Sequence, residues 1–249
     1  MRKIRIKMPK TGTRKLFEHI QNELIKNNIK MGRDALFDLL RSHGMLVKKT
    51  KRFHITTDSK HFFYKSPNLL KETALIHAEQ VFVSDITYIK IDGGHSYLAL
   101  VTDAYSKKIM GWKLDNNMKV SLVKEALAMA YKNCIYKHKN IIHHSDRGIQ
   151  YCCPDFSEFA QSKGFILSTT QKYDPYENAV AERINGILKY EFGLKNNIKS
   201  IQIAQKIIAQ AVKTYNNERL HWSLDLKTPQ TVHKQYNQQT YKSYARKAA

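Results

Sequence analysis

Residues 81–114 read VFVSDITYIKIDGGHSYLALVTDAYSKKIMGWKL, and their hydrophobic pattern decides the fold. Three runs rich in β-branched and aromatic residues, Val81–Ile91, Ser96–Asp103 and Lys108–Leu114, are separated by the turn residues Asp92-Gly93-Gly94 and by a short polar stretch. Strand formers bounded by turn residues predict a three-stranded meander. Beyond it the period changes. Leu122, Val123, Ala126, Leu127 and Ala130 share one helical face, which predicts a helix from Ser121 to about Cys134. Asn140–His144 reads as a strand, Asp155–Ser162 as a helix stopped by Gly164, and Phe165–Thr169 as a further strand. Strands in a run, then strand and helix in alternation, predict an α/β fold: a mixed five-stranded sheet flanked by helices.

Three acids stand out in this frame: Asp85 in VFVSDITYI, Asp146 in HHSDRGIQY and Glu182 in ENAVAERINGILKYE. Asp85 lies among Val81, Phe82, Val83, Ile86 and Ile89, where an ionised carboxylate without a partner is expensive to bury. Two carboxylates about 4 Å apart repel by roughly 4 kcal/mol at an effective dielectric near 20, so gathering three calls for cations. Attack on a phosphodiester needs an activated oxygen nucleophile and relief of charge on the departing oxygen, which two divalent ions can supply. Magnesium takes hard oxygen ligands and keeps positions open for water and phosphate. The three acids are therefore expected to be catalytic residues and metal ligands, holding two magnesium or manganese ions. Taken singly, each has an ordinary reading: Asp85 paired with an arginine, Asp146 in the turn before Arg147-Gly148, Glu182 on a solvated helix face. Asp103, in LVTDAYS, reads as a turn or cap residue, and His143 and His144 as strand-end packing.

The helix carrying Glu182 is expected to begin at Asp174-Pro175-Tyr176-Glu177, with Asp174 as cap, Pro175 in the first turn and Glu177 completing a capping box. Val180, Ile184, Ile187 and Leu188 form its apolar side, with Asn178, Glu182, Asn185 and Lys189 opposite. Lys189, two turns beyond Glu182, falls where a phosphate backbone would pass the metals. A last long helix covers about Ile201–Asn216, and a short one follows Pro229.

The 249 residues carry 42 Lys+Arg against 21 Asp+Glu, a net charge of +21. Such an excess favours a polyanionic partner, with double-stranded DNA the expected one. Most of the excess lies in residues 1–70. There Leu16, Phe17, Ile20, Leu24 and Ile25 recur at helical spacing, and Arg33–Ser42, with Leu36, Phe37, Leu39 and Leu40, forms a second helix ending near Gly44. Two helices and a turn in a basic context predict a helix-turn-helix; the competing reading is an ordinary helical hairpin with a solvated basic face. Lys48, Lys49, Lys51 and Arg52, together with Arg183 and Lys189, are the candidate DNA contacts. No apolar run approaches the roughly 18 residues of a membrane span, and MRKIRIKMPK lacks the apolar stretch of a secretion signal. A cytoplasmic, nucleoid-associated bacterial protein without a membrane partner is expected. Cys134, Cys152 and Cys153 offer no spacing for a disulfide frame or a zinc site. The expected division is a basic module over 1–67, a connector over 68–79, a catalytic core over 80–195 and a helical extension over 196–249.

Asp85, Asp146 and Glu182, with 35 residues between the last two, resemble the Asp-Asp-35-Glu core of retroviral integrases and many insertion-sequence transposases. SDITYI, YLALVTDAYSKKIMGW, HHSDRGIQY, ENAVAERINGILKYE and YNNERLHWSLDLKTPQ resemble, in order and spacing, the insertion-sequence-three family of transposases. GTRKLFEHI and GRDALFDLLRSHG are similar to the helix-turn-helix region that precedes the core in that family's second reading frame. The resemblance implies a ribonuclease H-like fold, magnesium-dependent cleavage at element ends, and attack of the freed 3′-hydroxyl on another phosphodiester. It also implies a homo-oligomer assembled on DNA and an upstream-frame fusion partner. Where family members often show Asp-Asn-Ala before the glutamate, this chain has Glu177-Asn178-Ala179, and it has no sustained heptad repeat. Two other readings stay open on the residues alone, a ribonuclease H-like nuclease that only hydrolyses and a non-catalytic DNA-binding regulator.

Overall fold

The computed structural model describes residues 1–47, 62–136, 138–171 and 177–235. Three helices come first: α1 (Arg2–Lys7), α2 (Thr13–Lys26) and α3 (Arg33–Ser42). The central part runs β1 (Val81–Ile91), β2 (Gly94–Asp103), β3 (Ile109–Asp115), α4 (Val120–Lys132), β4 (Ile141–Ser145), α5 (Ile149–Cys152), α6 (Pro154–Ser162), β5 (Phe165–Thr169) and α7 (Ala179–Glu191). It is followed by α8 (Ile201–Asn217) and α9 (Pro229–Gln235). None of these helices is long and apolar enough to cross a membrane.

The five strands form one mixed sheet in the order β3-β2-β1-β4-β5. β1 pairs antiparallel with β2 from Phe82↔Asp103 to Ile91↔Gly94, and β2 antiparallel with β3. On its other side β1 pairs parallel with β4, and β4 with β5. The β1–β2 turn needs a left-handed residue, supplied by Gly93 at φ 83°. Strand alternation divides the core. Leu98 and Leu100 enter the cluster that holds Ile184, Ile187 and Leu188 of α7 and Ala204, Ile208 and Tyr215 of α8, while Ala99 and Val101 enter the cluster built by α4 and α6. Helix α4 comes so close to β3 that a Cβ on Gly111 would lie 2.1 Å from the Ala126 carbonyl oxygen and 2.6 Å from the Ala130 nitrogen.

Helices α2 and α3 bury Leu16, Ile20, Leu36 and Leu40 against each other, as their periodicity predicts, but Ile25 is exposed. Helix α1, with the sequence RKIRIK, carries no such pattern and was not expected. It leads into Met8, which is buried in the same cluster as α7 and α8. Lys48, Lys49, Lys51 and Arg52 lie outside the described residues. The helix bearing Glu182 starts at Ala179, later than its sequence suggests. Asp174, Pro175 and Tyr176 lie outside the described residues, and with them the capping box; Glu177 accepts the Gln171 N–H at 2.6 Å and pairs with Lys71 at 3.0 Å.

The segment beyond α7 closes the sheet. Asn216 of α8 places its amide against β3, accepting the Ile109 N–H and donating to the Ile109 carbonyl, both at 2.9 Å, as a neighbouring strand would. Helix α9 is fastened by His233, which is fully buried between two fully buried carboxylates. Its Nε2 lies 3.1 Å from Glu79 and its Nδ1 3.3 Å from Asp103. Asp103 also accepts the Ser106 N–H, so it is the turn residue the sequence suggested, with a second role the sequence did not disclose. Burial pushes His233 down, but its bonds to Asp103 and Glu79 outweigh burial and raise it above 6.5. Burial likewise pushes Glu79 up, but His233 and the N–H groups of Ile135 and Tyr136 carry it below 4.5.

Two outcomes follow from this packing. Gly111→Val should overpack the α4–β3 contact and lower stability by about 1–3 kcal/mol or more in denaturant unfolding, whereas Gly12→Ala, with open space around it, should change little. The contribution of the charged His233 should be full above the ordinary glutamate value of 4.5 and below the ordinary histidine value of 6.5. It should fade as pH rises through the raised His233 value and as pH falls through the lowered Glu79 value. Melting curves across pH should show this shoulder in the wild type and lose it in His233→Gln, which leaves buried carboxylates without their cation and should be destabilised by about 3–5 kcal/mol.

Candidate active site

The parallel ladder between β1 and β4 ends at Ser84↔Ser145. One position further along each strand stand Asp85 and Asp146, at the level where β4 leaves the sheet and β1 continues beside β2, with Asp85 opposite Leu100. Neighbouring strands lie about 4.8 Å apart, so the register alone brings these two acids together. Asp85 is partly buried; its Oδ1 accepts the Ile86 N–H at 2.9 Å and its Oδ2 accepts the Asn185 amide at 2.7 Å. Asp146 turns the chain toward α5, its Oδ1 accepting the Gly148 N–H at 3.1 Å.

Helix α7 brings the third acid. Its entry is fastened to the two strands that carry the aspartates: Asn178 donates to the Ser84 carbonyl at 3.1 Å, and His144 Nε2 donates to the Glu177 carbonyl at 3.0 Å. From there Glu182 is exposed, Asn185 is buried against Asp85, and Lys189 is half-buried. The polar side of α7 therefore faces β1 and does not simply face solvent. Asn185, which the sequence placed on that stripe without a role, fixes the orientation of Asp85.

The acids act on one another. Burial first, then Asp146 and Glu182, push Asp85 up to about 7, against the opposing bonds from Asn185 and the Ile86 N–H. Burial and Asp146 also raise Glu182. Burial lowers the Lys189 amine, while Asp85 works in the opposite direction, which places Lys189 within electrostatic reach of the site. Arg183 is exposed beside Glu182. Even so, among the described residues no three His, Cys, Asp or Glu side chains are gathered closely enough to form one metal cage. Like charges resist that convergence, and Asn185 already occupies one oxygen of Asp85. The donor set nevertheless suits a hard divalent cation, since it consists of carboxylate oxygens, one of them strongly destabilised as an anion.

The two histidines next to Asp146 have structural partners. His143 meets the Ser84 hydroxyl at 2.8 Å and packs on Tyr151, Phe156 and Phe165; burial lowers it to about 3. His144 meets the Ser168 hydroxyl at 2.8 Å and is lowered to about 4 by burial. Both are neutral packing groups, as their strand position suggested.

Residues 77–175 match the integrase core domain family, and residues 163–229 match a second integrase core domain family. The chain is 32% identical over 243 residues to the uncharacterised 31 kDa protein of insertion element IS600 from Shigella sonnei, covering 95% of this chain and 88% of that one. It is 30% identical over 187 residues to transposase InsF for insertion sequence IS3A of Escherichia coli K12, covering 73% of this chain and 64% of that one. Among solved structures it resembles a chain of the simian T-cell lymphotropic virus intasome in complex with PP2A regulatory subunit B56 gamma. There the TM-score is 0.57 at 18% identity, over 91% of this chain and 76% of that one. It also resembles the HTLV-2 integrase catalytic core domain in complex with magnesium, with a TM-score of 0.50 at 19% identity over 64% of this chain and 98% of that one. At these identities the structural likeness identifies the fold, the ribonuclease H-like integrase core.

Asp85 should titrate near pH 7 in carboxyl NMR of the metal-free protein. Asp146→Asn should lower that midpoint and Asn185→Leu should raise it; a midpoint near 4 in the wild type would refute the crowding. Because the folded value lies above the ordinary 3.8, the stability that Asp85 contributes should fall as pH rises from about 4 through 7, and Asp85→Asn should remove that slope.

Proposed function

The chain belongs to the insertion-sequence-three family of transposases, and on that premise we propose that Asp85, Asp146 and Glu182 carry out metal-dependent cleavage at element ends and strand transfer into a second duplex. The observation that supports this most is the shared register of Asp85 and Asp146 beyond the last β1–β4 pair, with Glu182 electrostatically coupled to both. These three acids would hold two magnesium or manganese ions, which when bound supply activation of the attacking oxygen and neutralisation of the departing one.

The chain's own residues prepare that chemistry. Asn185 holds Asp85 Oδ2 and the Gly148 N–H holds Asp146 Oδ1, so each aspartate keeps one oriented carboxylate. Lys189 and the exposed Arg183 flank Glu182 on α7 and take phosphates of the strand that passes it. In strand transfer the 3′-hydroxyl oxygen of the cut end forms a bond to a phosphorus of the second duplex. The bond from that phosphorus to its own 3′-oxygen breaks, and a new 3′-hydroxyl departs with the proton balance unchanged. One phosphodiester replaces another, so no nucleotide need be hydrolysed.

In this reading residues 1–67 form a DNA-binding module, 68–79 a connector, 80–195 the catalytic core and 196–249 its helical extension. The partners are double-stranded DNA, further copies of the chain assembled on it and an upstream-frame fusion partner, in the bacterial cytoplasm at the nucleoid. Junction sequencing of the native element in cells, with its upstream frame retained, tests the proposal. Joined ends and new insertions are expected in the wild type and should vanish in Glu182→Gln. Junctions that persist equally in both would assign the chemistry to another enzyme, and nicked but never joined DNA would favour a hydrolytic nuclease.

A further inference from the structure

A second concentration of polar groups lies where α2 meets the end of α7 and the turn after α8. The Lys10 N–H donates to the Glu191 carbonyl at 3.3 Å, so the approach to α2 runs along the end of α7. Arg219 clamps the Glu191 carboxylate with two bonds, Nε to Oε2 at 2.8 Å and Nη2 to Oε1 at 2.6 Å. Lys15 projects from α2 toward the same carboxylate but stops 4.0 Å away, with its side chain only 13% exposed. Both oxygens already serve Arg219, and among the described residues the Lys15 ammonium has no closer carboxylate.

The surrounding groups also include buried polar atoms without a partner among the described residues. Nε2 of His19, one turn along α2 from Lys15, is buried without a hydrogen-bond partner among the described residues. So is Nε2 of His221, a residue only 7% exposed. Arg183 is exposed on α7 and makes no ion pair among the described residues, yet its charge is felt by Lys15, Glu191 and His221. Three cations and two imidazoles thus gather around Glu191; Glu218, a second carboxylate felt by His19, is itself paired with Lys7 at 2.8 Å. The imbalance is visible in Lys15, which burial and then Arg219 push down to about 8 despite Glu191, and in His221, which burial and the same cations push down to about 2. A structural ion pair has no need of a second and third cation that repel the first.

We propose that Lys15, Arg183 and His19, with Arg219 and His221 beneath them, form a seat for one backbone phosphate of DNA, gripped between α2 of the N-terminal helices and α7 of the core. The seat rests on reading the chain as an enzyme acting on DNA, and it adds a coupling to that reading. Arg183 directly follows Glu182, so a phosphate held here ties the strand at the carboxylates to the helices that precede the core. Charge that weakens the free protein is relieved when the nucleic acid arrives.

The test uses the full chain, with inorganic phosphate and a DNA duplex as probes. Inorganic phosphate should raise the melting temperature of the wild type and of Lys132→Gln, a substitution on the exposed side of α4, but not of Lys15→Gln. In duplex binding, the slope of log affinity against log salt should shrink by about 0.9 in Lys15→Gln, the loss of one phosphate contact. Without phosphate, Lys15→Gln should melt no lower than the wild type. An unchanged slope overturns the seat, and together with a lowered melting temperature it assigns Lys15 to a structural pair with Glu191. Absence of any duplex affinity in the wild type overturns both the seat and the DNA-enzyme reading, whereas normal affinity with an unchanged slope overturns the seat alone.

Discussion

The structure depends on one strand being paired in two ways. β1 is bonded antiparallel to β2 along its whole length and parallel to β4 for only four residues, Val81 to Ser84. Where the parallel partner departs, the sheet opens on one side of β1 while the other side stays closed, and a crevice at the carboxyl ends of strands is the usual place for a ligand in such sheets. Asp85 occupies the first position freed by that departure and Asp146 the first residue of the departing chain. Everything that follows serves to bring α7 to this opening, through Asn178 on Ser84, the Glu177 carbonyl on His144, and Asn185 on Asp85.

Two treatments of buried charge sit on opposite sides of β1's length. Around His233 each charge finds its counterpart, since a protonated imidazole between Glu79 and Asp103 satisfies both carboxylates and holds α9 in place. Around Asp85 the other two acids are of its own sign, opposed by an amide, a backbone N–H and, further along α7, the Lys189 amine. A fold that solves the first problem has no physical obstacle to solving the second, so the unsolved one marks where stability is yielded to chemistry. The cluster at Lys15, Arg219 and Arg183 repeats that logic with the sign reversed.

The sheet was legible because its parts carry their own signals: runs of β-branched and aromatic residues in β1 and β2, turn residues at Asp92-Gly93, and apolar faces on α4 and α8. The three acids were legible as a spacing set against a basic background. What stayed hidden was whatever depends on partners distant in sequence. Asn185 meets Asp85 a hundred residues away, His233 meets Glu79 across 154, and neither contact leaves a periodic trace. Helix α1 escaped notice because RKIRIK is short and charged, and it is settled by where Met8 packs. Glu177 has partners that the local pattern did not disclose, the distant Lys71 and the Gln171 N–H, while Asp174, the other half of the expected capping box, lies outside the described residues. Ile25 fits the spacing of α2 but has no neighbour to cover it.

The buried imidazole also imposes an order on biosynthesis. Glu79 and Asp103 emerge from the ribosome well before residue 233, so for the time it takes to make the intervening 129 residues the sheet must either leave these two acids in water or bury them without their cation. The second course is strongly unfavourable. The end of β2 is thus kept from settling until α9 has been synthesised, and a nascent chain cut short by frame loss or premature termination betrays itself by an open, hydrated corner that proteases can find.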